Sequence, residues 1–122
     1  MIGYVMLGTN DLDRAAGFYD ALLAEIGAGR FMEQDTFIAW AKDPQQAGLC
    51  VTQPHDGAPA SVGNGVMVAL AVGSPAEVDA LHAKAISLGA TDEGAPGPRG
   101  AGGFYAGYFR DLDGNKLNFF TM

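Results

Sequence analysis

A chain of 122 residues that is 48% hydrophobic and 17% charged is about one domain in size and folds rather than remaining disordered. Seven Lys and Arg against fourteen Asp and Glu leave a net charge of −7, which repels nucleic-acid backbones and anionic lipid surfaces. The lone Cys50 excludes an intrachain disulfide, no apolar run reaches the ~20 residues of a membrane span, and Met1–Val5 shows no basic-then-apolar leader, so a reducing, cytoplasmic setting is expected.

Residues 2–8 (IGYVMLG) read as a first strand. Asn10 and Asp11 then offer a helix N-cap, with Asp13 adding negative charge in the first turn. Leu12, Ala15, Tyr19, Leu22 and Ile26 recur at helical spacing, and Gly27 stands where a left-handed cap is wanted. Three short strands are predicted near 29–34, 36–42 and 48–53. The Pro-, Gly- and Ala-rich segment 54–63 (PHDGAPASVG) reads as a linker, dividing the chain into a module at about 1–54, a linker at about 55–63 and a module at about 64–122.

After the linker the pattern restarts. Residues 65–72 (GVMVALAV) predict a strand, and Ser74-Pro75-Ala76-Glu77 is a capping box with Pro at the first helical position. Val78, Leu81, Ala85 and Leu88 carry the helical period to Gly89. A short strand is expected at 91–95, a loop at 96–103 (PGPRGAGG), a strand at 104–110, a turn at 111–115 (DLDGN) and a last strand at 116–121. Strand, helix and three strands thus occur twice, with offsets of 61 residues (Tyr4 to Gly65), 62 (Gly27 to Gly89) and 68 (Cys50 to Asn118). A unit this long, present only twice, predicts two βαβββ modules side by side rather than a solenoid.

Strand parity separates two faces. Val5, Leu7, Leu49, Val51, Val66, Val68, Leu70, Leu117 and Phe119 are expected beneath the helices. Tyr4, Met6, Cys50, Thr52, Gly65, Met67, Ala69, Asn118 and Phe120 form a mixed face suited to lining a cavity. Opposing Arg110 to Lys116 places Tyr108 beside Asn118 on that face, and the offset of 68 assigns Trp40 the matching spot. Ligand-binding candidates are therefore Tyr4, Trp40, Cys50, Met67, Arg99, Tyr108, Asn118 and Phe120, with Arg99 on a Gly/Pro-rich loop suited to clamping a carboxylate or phosphate. No catalytic residue stands out. Tyr105 and Tyr108 are expected on opposite faces.

Val5-Met6-Leu7-Gly8 with Asp11-Leu12 and Phe18-Tyr19, Gly63-Asn64-Gly65, and Asp111 to Asn115 before the last strand together resemble the vicinal oxygen chelate superfamily of glyoxalase I, bleomycin-resistance proteins and extradiol dioxygenases. The resemblance implies an α+β fold of two tandem βαβββ modules forming a cupped mixed sheet with helices outside, often as a homodimer. It also implies metal ligands, usually His and Glu, on the first and last strand of each module, which fall here on Tyr4, Cys50, Gly65 and Asn118. That set lacks imidazole and carboxylate, so the metal site reads as lost and no cofactor is expected. His82 is expected at a helix boundary with one nitrogen in water and His55 in a solvated loop. Asp111 and Asp113 read as turn caps, Gly63-Asn64-Gly65 as a turn, and Cys50 as a filler without a cationic partner.

Three functions remain open at this point. The first is a metal-free binder of a small organic molecule. The second is a lyase, isomerase or dioxygenase of the glyoxalase type with atypical or no metal. The third is a structural or regulatory dimer.

Overall fold

A computed structural model describes residues 1–122, with elements in the order β1 (Tyr4–Gly8), α1 (Leu12–Ala24), β2 (Gly29–Glu33), β3 (Phe37–Ala41), β4 (Gly48–Thr52), β5 (Val68–Ala71), α2 (Pro75–Ser87), β6 (Thr91–Pro98), β7 (Tyr105–Arg110) and β8 (Lys116–Thr121). They fall into two compact units, Met1–Val62 and Gly63–Met122. Each is a strand, a helix and three strands, so the doubled βαβββ pattern of the sequence is the fold. No helix is long and apolar enough to cross a membrane.

In the first unit the sheet order is β1-β4-β3-β2, with β1 parallel to β4 and the remaining pairs antiparallel. The helix α1 starts at Asp11, whose extended backbone leaves the helix and whose side chain accepts from the Arg14 N–H at 3.0 Å. It buries Ala15, Ala16, Phe18, Tyr19, Leu22 and Leu23, the positions that a 3.6-residue period places on one stripe. Leu7, Ile38, Trp40, Leu49 and Val51 meet that stripe from the sheet, each 6% exposed or less. Each large side chain so buried contributes about 1.5–3 kcal/mol.

The second unit repeats the plan in the order β5-β8-β7-β6, with β5 parallel to β8. Its helix α2 carries the anticipated capping box: Ser74 Oγ accepts from the Glu77 N–H at 3.2 Å, and Glu77 Oε2 accepts from the Gly73 N–H at 2.8 Å. Phe109, Leu117 and Phe119 are wholly buried, with Phe109 and Phe119 stacked at 5.5 Å.

Two boundaries differ from the sequence reading. β5 begins only at Val68, because Gly63–Val66 closes a turn in which the Val66 N–H donates to the Gly63 carbonyl at 3.2 Å and Gly65 takes φ +90°. Val66 is therefore exposed rather than beneath α2. β6 runs on to Pro98, through the first three residues of the loop expected at 96–103. It is the outer strand of its sheet, where a Pro without an N–H is tolerated, and its register shifts at Asp92/Gly94 and Gly94/Gly97 absorb the irregular backbone.

The placement of Trp40 is also corrected. Trp40 pairs with Leu49 on the helix-facing side, while Ala39 pairs with Cys50. The cause is loop length. Residues 42–47 join β3 to β4, whereas 111–115 join β7 to β8, so one extra residue reverses the facing. Trp40 instead packs on Tyr19 at 5.6 Å, and its Nε1–H donates to Asp20 Oδ1 at 2.8 Å. Arg30 grips the same carboxylate with two donors at 2.9 and 2.7 Å.

These bonds, that of Arg30 first, hold the Asp20 carboxyl below the usual carboxylate range. A depressed folded-state value makes the contribution present above the ordinary pKa of about 3.9 and lost as pH falls through the lower folded value. Asp20→Ala should lower unfolding stability in urea at neutral pH by about 1–3 kcal/mol, mainly by orphaning the buried indole N–H. Asp20→Asn should flatten the acid limb of the stability–pH profile; an unchanged limb would show that the clasp adds nothing.

Candidate functional site

The face of the second sheet turned away from α2 gathers the chemistry. Register sets its rows: Arg110 beside Lys116, Tyr108 between Gly94 and Asn118, Asn118 beside Ala69, and Phe120 between Ala106 and Ala71. Phe104 leans on Phe120 with ring centroids 5.4 Å apart. Small residues alternate with three aromatic rings, which gives an apolar floor with few side chains rising from it.

Asn118 is 1% exposed, and neither its Oδ1 nor its Nδ2 has a hydrogen-bond partner. An amide offers an acceptor and two donors, and leaving such groups buried and unpaired costs about 1–3 kcal/mol each. Its flanking residues on the two neighbouring strands, Ala69 and Tyr108, do not relieve it.

Tyr108 lies between two cations. The Arg99 guanidinium carbon is 5.4 Å and the Lys116 ammonium 5.5 Å from its ring centroid. Arg99 reaches this place because β6 is bare beneath it. A Cβ on Gly97 would stand 3.2 Å from Arg99 Nη1, and one on Gly94 would stand 3.5 Å from Nη2 and 3.2 Å from Tyr108 Cδ2. Arg99 donates to the Ala95 carbonyl at 2.6 Å and the Pro98 carbonyl at 3.3 Å, which leaves three of its five donors unused. Lys116 sits on the same face, two residues before Asn118. Arg110, next to it, is engaged: Nε and Nη2 donate to Glu93 Oε1 at 3.1 and 2.9 Å. That contact first of all holds the Glu93 carboxyl below its ordinary range.

Behind the sheet, His82 is buried rather than half in water as the sequence suggested. Its Nε2 lies 3.1 Å from both the Tyr108 carbonyl and Asp92 Oδ1. A carbonyl only accepts, so this nitrogen carries the hydrogen. The imidazole thus braces the backbone of the strand that carries Tyr108. Tyr105 points to that same side, its hydroxyl donating to Asp79 at 2.7 Å.

In the first unit, Tyr4, Met6 and Cys50 share the face away from α1. Tyr4 is 61% exposed, Met6 46%, and Phe31 and Met32 are similarly open, leaving an apolar surface. Cys50 is buried, and desolvation pushes its thiol up from the ordinary value, so it is not a ready thiolate. Met67 precedes β5 and is exposed. The eight candidates thus resolve into Arg99, Tyr108, Asn118 and Phe120 on one sheet, Tyr4 and Cys50 on the other, Met67 outside the strands, and Trp40 in a core. Lys116 escaped the sequence reading, although its parity with Asn118 placed it on the right face.

The remaining motifs are structural. Asp111 Oδ1 accepts from the Asp113 and Asn115 N–H groups, both at 2.9 Å, and Oδ2 accepts from the Asn115 amide at 3.0 Å. His55 is exposed.

The profile of the Glyoxalase/Bleomycin resistance protein/Dioxygenase superfamily matches residues 1–119. The crystal structure of a glyoxalase/bleomycin resistance protein from Albidiferax ferrireducens is 37% identical, superposes with a TM-score of 0.90, and matches over 100% of this chain and 98% of that one. A hypothetical protein of S. aureus is 25% identical, with a TM-score of 0.76 over 100% of this chain and 93% of that one. A lactoylglutathione lyase from Agrobacterium tumefaciens shares the fold at 21% identity and a TM-score of 0.71, over 99% of this chain and 92% of that one. No curated protein matches significantly.

The donor chemistry at the implied ligand positions does not suit an ordinary divalent ion. Gly65 lies in a turn, and strand pairing gives its place to Met67: Met6 beside Cys50 corresponds to Ala69 beside Asn118, an offset of 63 that carries Tyr4 to Met67. The set is then a phenol, a thiol raised by burial, a thioether and a neutral amide. No group of three or more His, Cys, Asp or Glu side chains gathers anywhere to hold an ion.

Two outcomes are expected. Native Cys50 should react with an aromatic disulfide reagent far more slowly than the urea-unfolded chain, and a fast stoichiometric reaction would contradict its burial. Asn118→Leu should raise unfolding stability by about 1–3 kcal/mol, because it removes unpaired buried dipoles at similar volume; a loss of stability in urea denaturation would mean that the amide is satisfied.

Proposed function

Because the chain belongs to the Glyoxalase/Bleomycin resistance protein/Dioxygenase superfamily, we propose that it binds a small organic molecule over the open face of β5–β8, without a divalent ion at the superfamily's usual positions. The observation that carries this reading is the Asn118 amide, buried with both polar atoms unpaired. A hydrophobic side chain would fill the same position at lower cost, so the amide earns its place only by meeting a partner that is not part of the fold.

The surrounding residues support the same reading. Phe104, Tyr108 and Phe120 supply flat apolar contact, and the small exposed residues Ala69 and Ala71 flank them on β5. The amide is closed to solvent, so a ligand reaches it only as neighbouring side chains move. Such a ligand presents an acceptor and a donor together, as a carboxamide or a hydroxy-ketone does. Catalysis gains no comparable support: Cys50 lacks an activating partner, and His82 faces the opposite side of the sheet from Asn118.

Screening small amides and hydroxy-ketones by two-dimensional NMR should shift the Asn118 side-chain and Tyr108 backbone resonances. Asn118→Leu should abolish binding while keeping the fold. Zinc, nickel, manganese and iron should leave the thermal midpoint unchanged. A tightly held stoichiometric ion whose loss follows substitution of Tyr4, Cys50 or Asn118 would overturn the reading.

A further inference from the structure

The chain is acidic, yet three of its seven cations, Arg99, Arg110 and Lys116, stand around Tyr108 on one face of the second sheet. The carboxylate paired there is Glu93, whose Oε1 accepts from two Arg110 donors and whose charge also acts on Lys116. Lys116 makes no hydrogen bond or ion pair, its contact with the Tyr108 ring apart. Arg99 is fixed over Gly94 and Gly97 by two backbone carbonyls that satisfy donors without neutralising charge. Two cations without a hydrogen-bonded counter-ion are therefore held at one ring, with the more distant field of Glu93 shared between Lys116 and Arg110. Scattered surface cations would avoid that arrangement, and a bound anion would relieve it.

From this we propose that the ligand of this face is a small carboxylate. Its negative group is held by Arg99 and Lys116 at the Tyr108 ring, and its donor–acceptor group reaches Asn118. The inference rests on the binding reading above and adds the charge and span of the ligand. Lys116 and Asn118 are two residues apart on β8 and face the same way, which sets about 7 Å between the anionic end and the amide-seeking end. Arg99 follows the end of β6 and Lys116 lies on β8, the strands on either side of Tyr108, and the Lys116 ammonium, which makes no hydrogen bond, is free to swing toward a carboxylate that Arg99 takes at the edge of the ring. The net charge of −7 repels polyanions at long range, which restricts the site to a ligand small enough to sit within the local cluster. Cationic drugs are excluded by the same two side chains.

The test uses three probes that share one carboxamide and differ only in charge: para-carbamoylbenzoate, neutral terephthalamide and cationic para-(aminomethyl)benzamide. Titrations followed by NMR at neutral pH should show the anion binding about tenfold or more tighter than the neutral amide, the cation weakest, and the anion's advantage shrinking with added salt. Lys116→Gln and Arg99→Gln should each remove most of that advantage, weakening the anion several-fold more than terephthalamide. Lys42→Gln, a charge loss in the β3–β4 loop, should change nothing. Equal affinity for the neutral probe, or preference for the cation, overturns the carboxylate assignment while the binding face itself stands. Silence of Tyr108 and Asn118 toward all three overturns it too, and if the wider screen is also silent the binding reading falls with it.

Discussion

The register of the β7–β8 hairpin is the constraint on which the candidate site depends. One carboxylate sets it. Asp111 collects the N–H groups of Asp113 and Asn115 on one oxygen and the Asn115 amide on the other, inside a five-residue connection, and its own N–H donates to the Asn115 carbonyl at 2.9 Å. With the turn closed in this way, Arg110 must face Lys116 and Tyr108 must face Asn118. A slip by one residue would send Tyr108 and Asn118 into the core and bring Phe109 and Leu117 out. The hydrophobic burial of those last two, each 0% exposed, enforces the same register from the other side of the sheet.

The first unit shows what changes when that turn is different. Its corresponding hairpin has a longer connection, and the aromatic residue that aligns by simple offset, Trp40, faces the helix. There it is held by Asp20, which also anchors Arg30 from the bulged strand β2. The two units share a topology and divide the labour. One places its polar clasp inside, between helix and sheet. The other turns Arg99, Lys116 and Asn118 to the face away from its helix, where the Asn118 amide has no partner within the fold.

Much of this was legible in the sequence because it follows from period and punctuation. The doubled pattern, both helices with their caps, the Ser74–Glu77 box, the hairpin pairing of Arg110 with Lys116 and the facing of Asn118 all follow from spacing. What escaped depended on loop length or on the exposure of one edge. Trp40 was misassigned because a repeat offset measured at β4 does not hold across a loop of different length. The extension of β6 through Pro96 and Pro98 was hidden because proline ordinarily ends a strand, and only an outer position makes it tolerable. The burial of His82 was not readable from its helical neighbours; it depends on Gly107, whose missing side chain admits the ring (a Cβ there would stand 3.1 Å from His82 Cδ2). Arg99 was readable as a loop cation suited to an anion, but its place beside Tyr108 was not, since its bed of Gly94 and Gly97 requires the strand to be in place.

The site also shows how stability and binding oppose each other in a small fold. A domain of this length is stable by only about 5–15 kcal/mol, so an unpaired buried amide and two adjacent cations are appreciable losses. They are affordable because the opposite face of the same sheet is closed by Phe109, Leu117 and Phe119, and because His82 ties β7 from behind to the α2 side. The rigid apolar layer fixes the backbone of β7 and β8, and the backbone fixes the spacing of Tyr108, Lys116 and Asn118. Preorganised in this way, the polar groups need no rearrangement of the strands to meet a ligand, only movement of neighbouring side chains. On the binding reading proposed above, the free energy of their unmet bonds would be recovered on meeting a ligand rather than on folding.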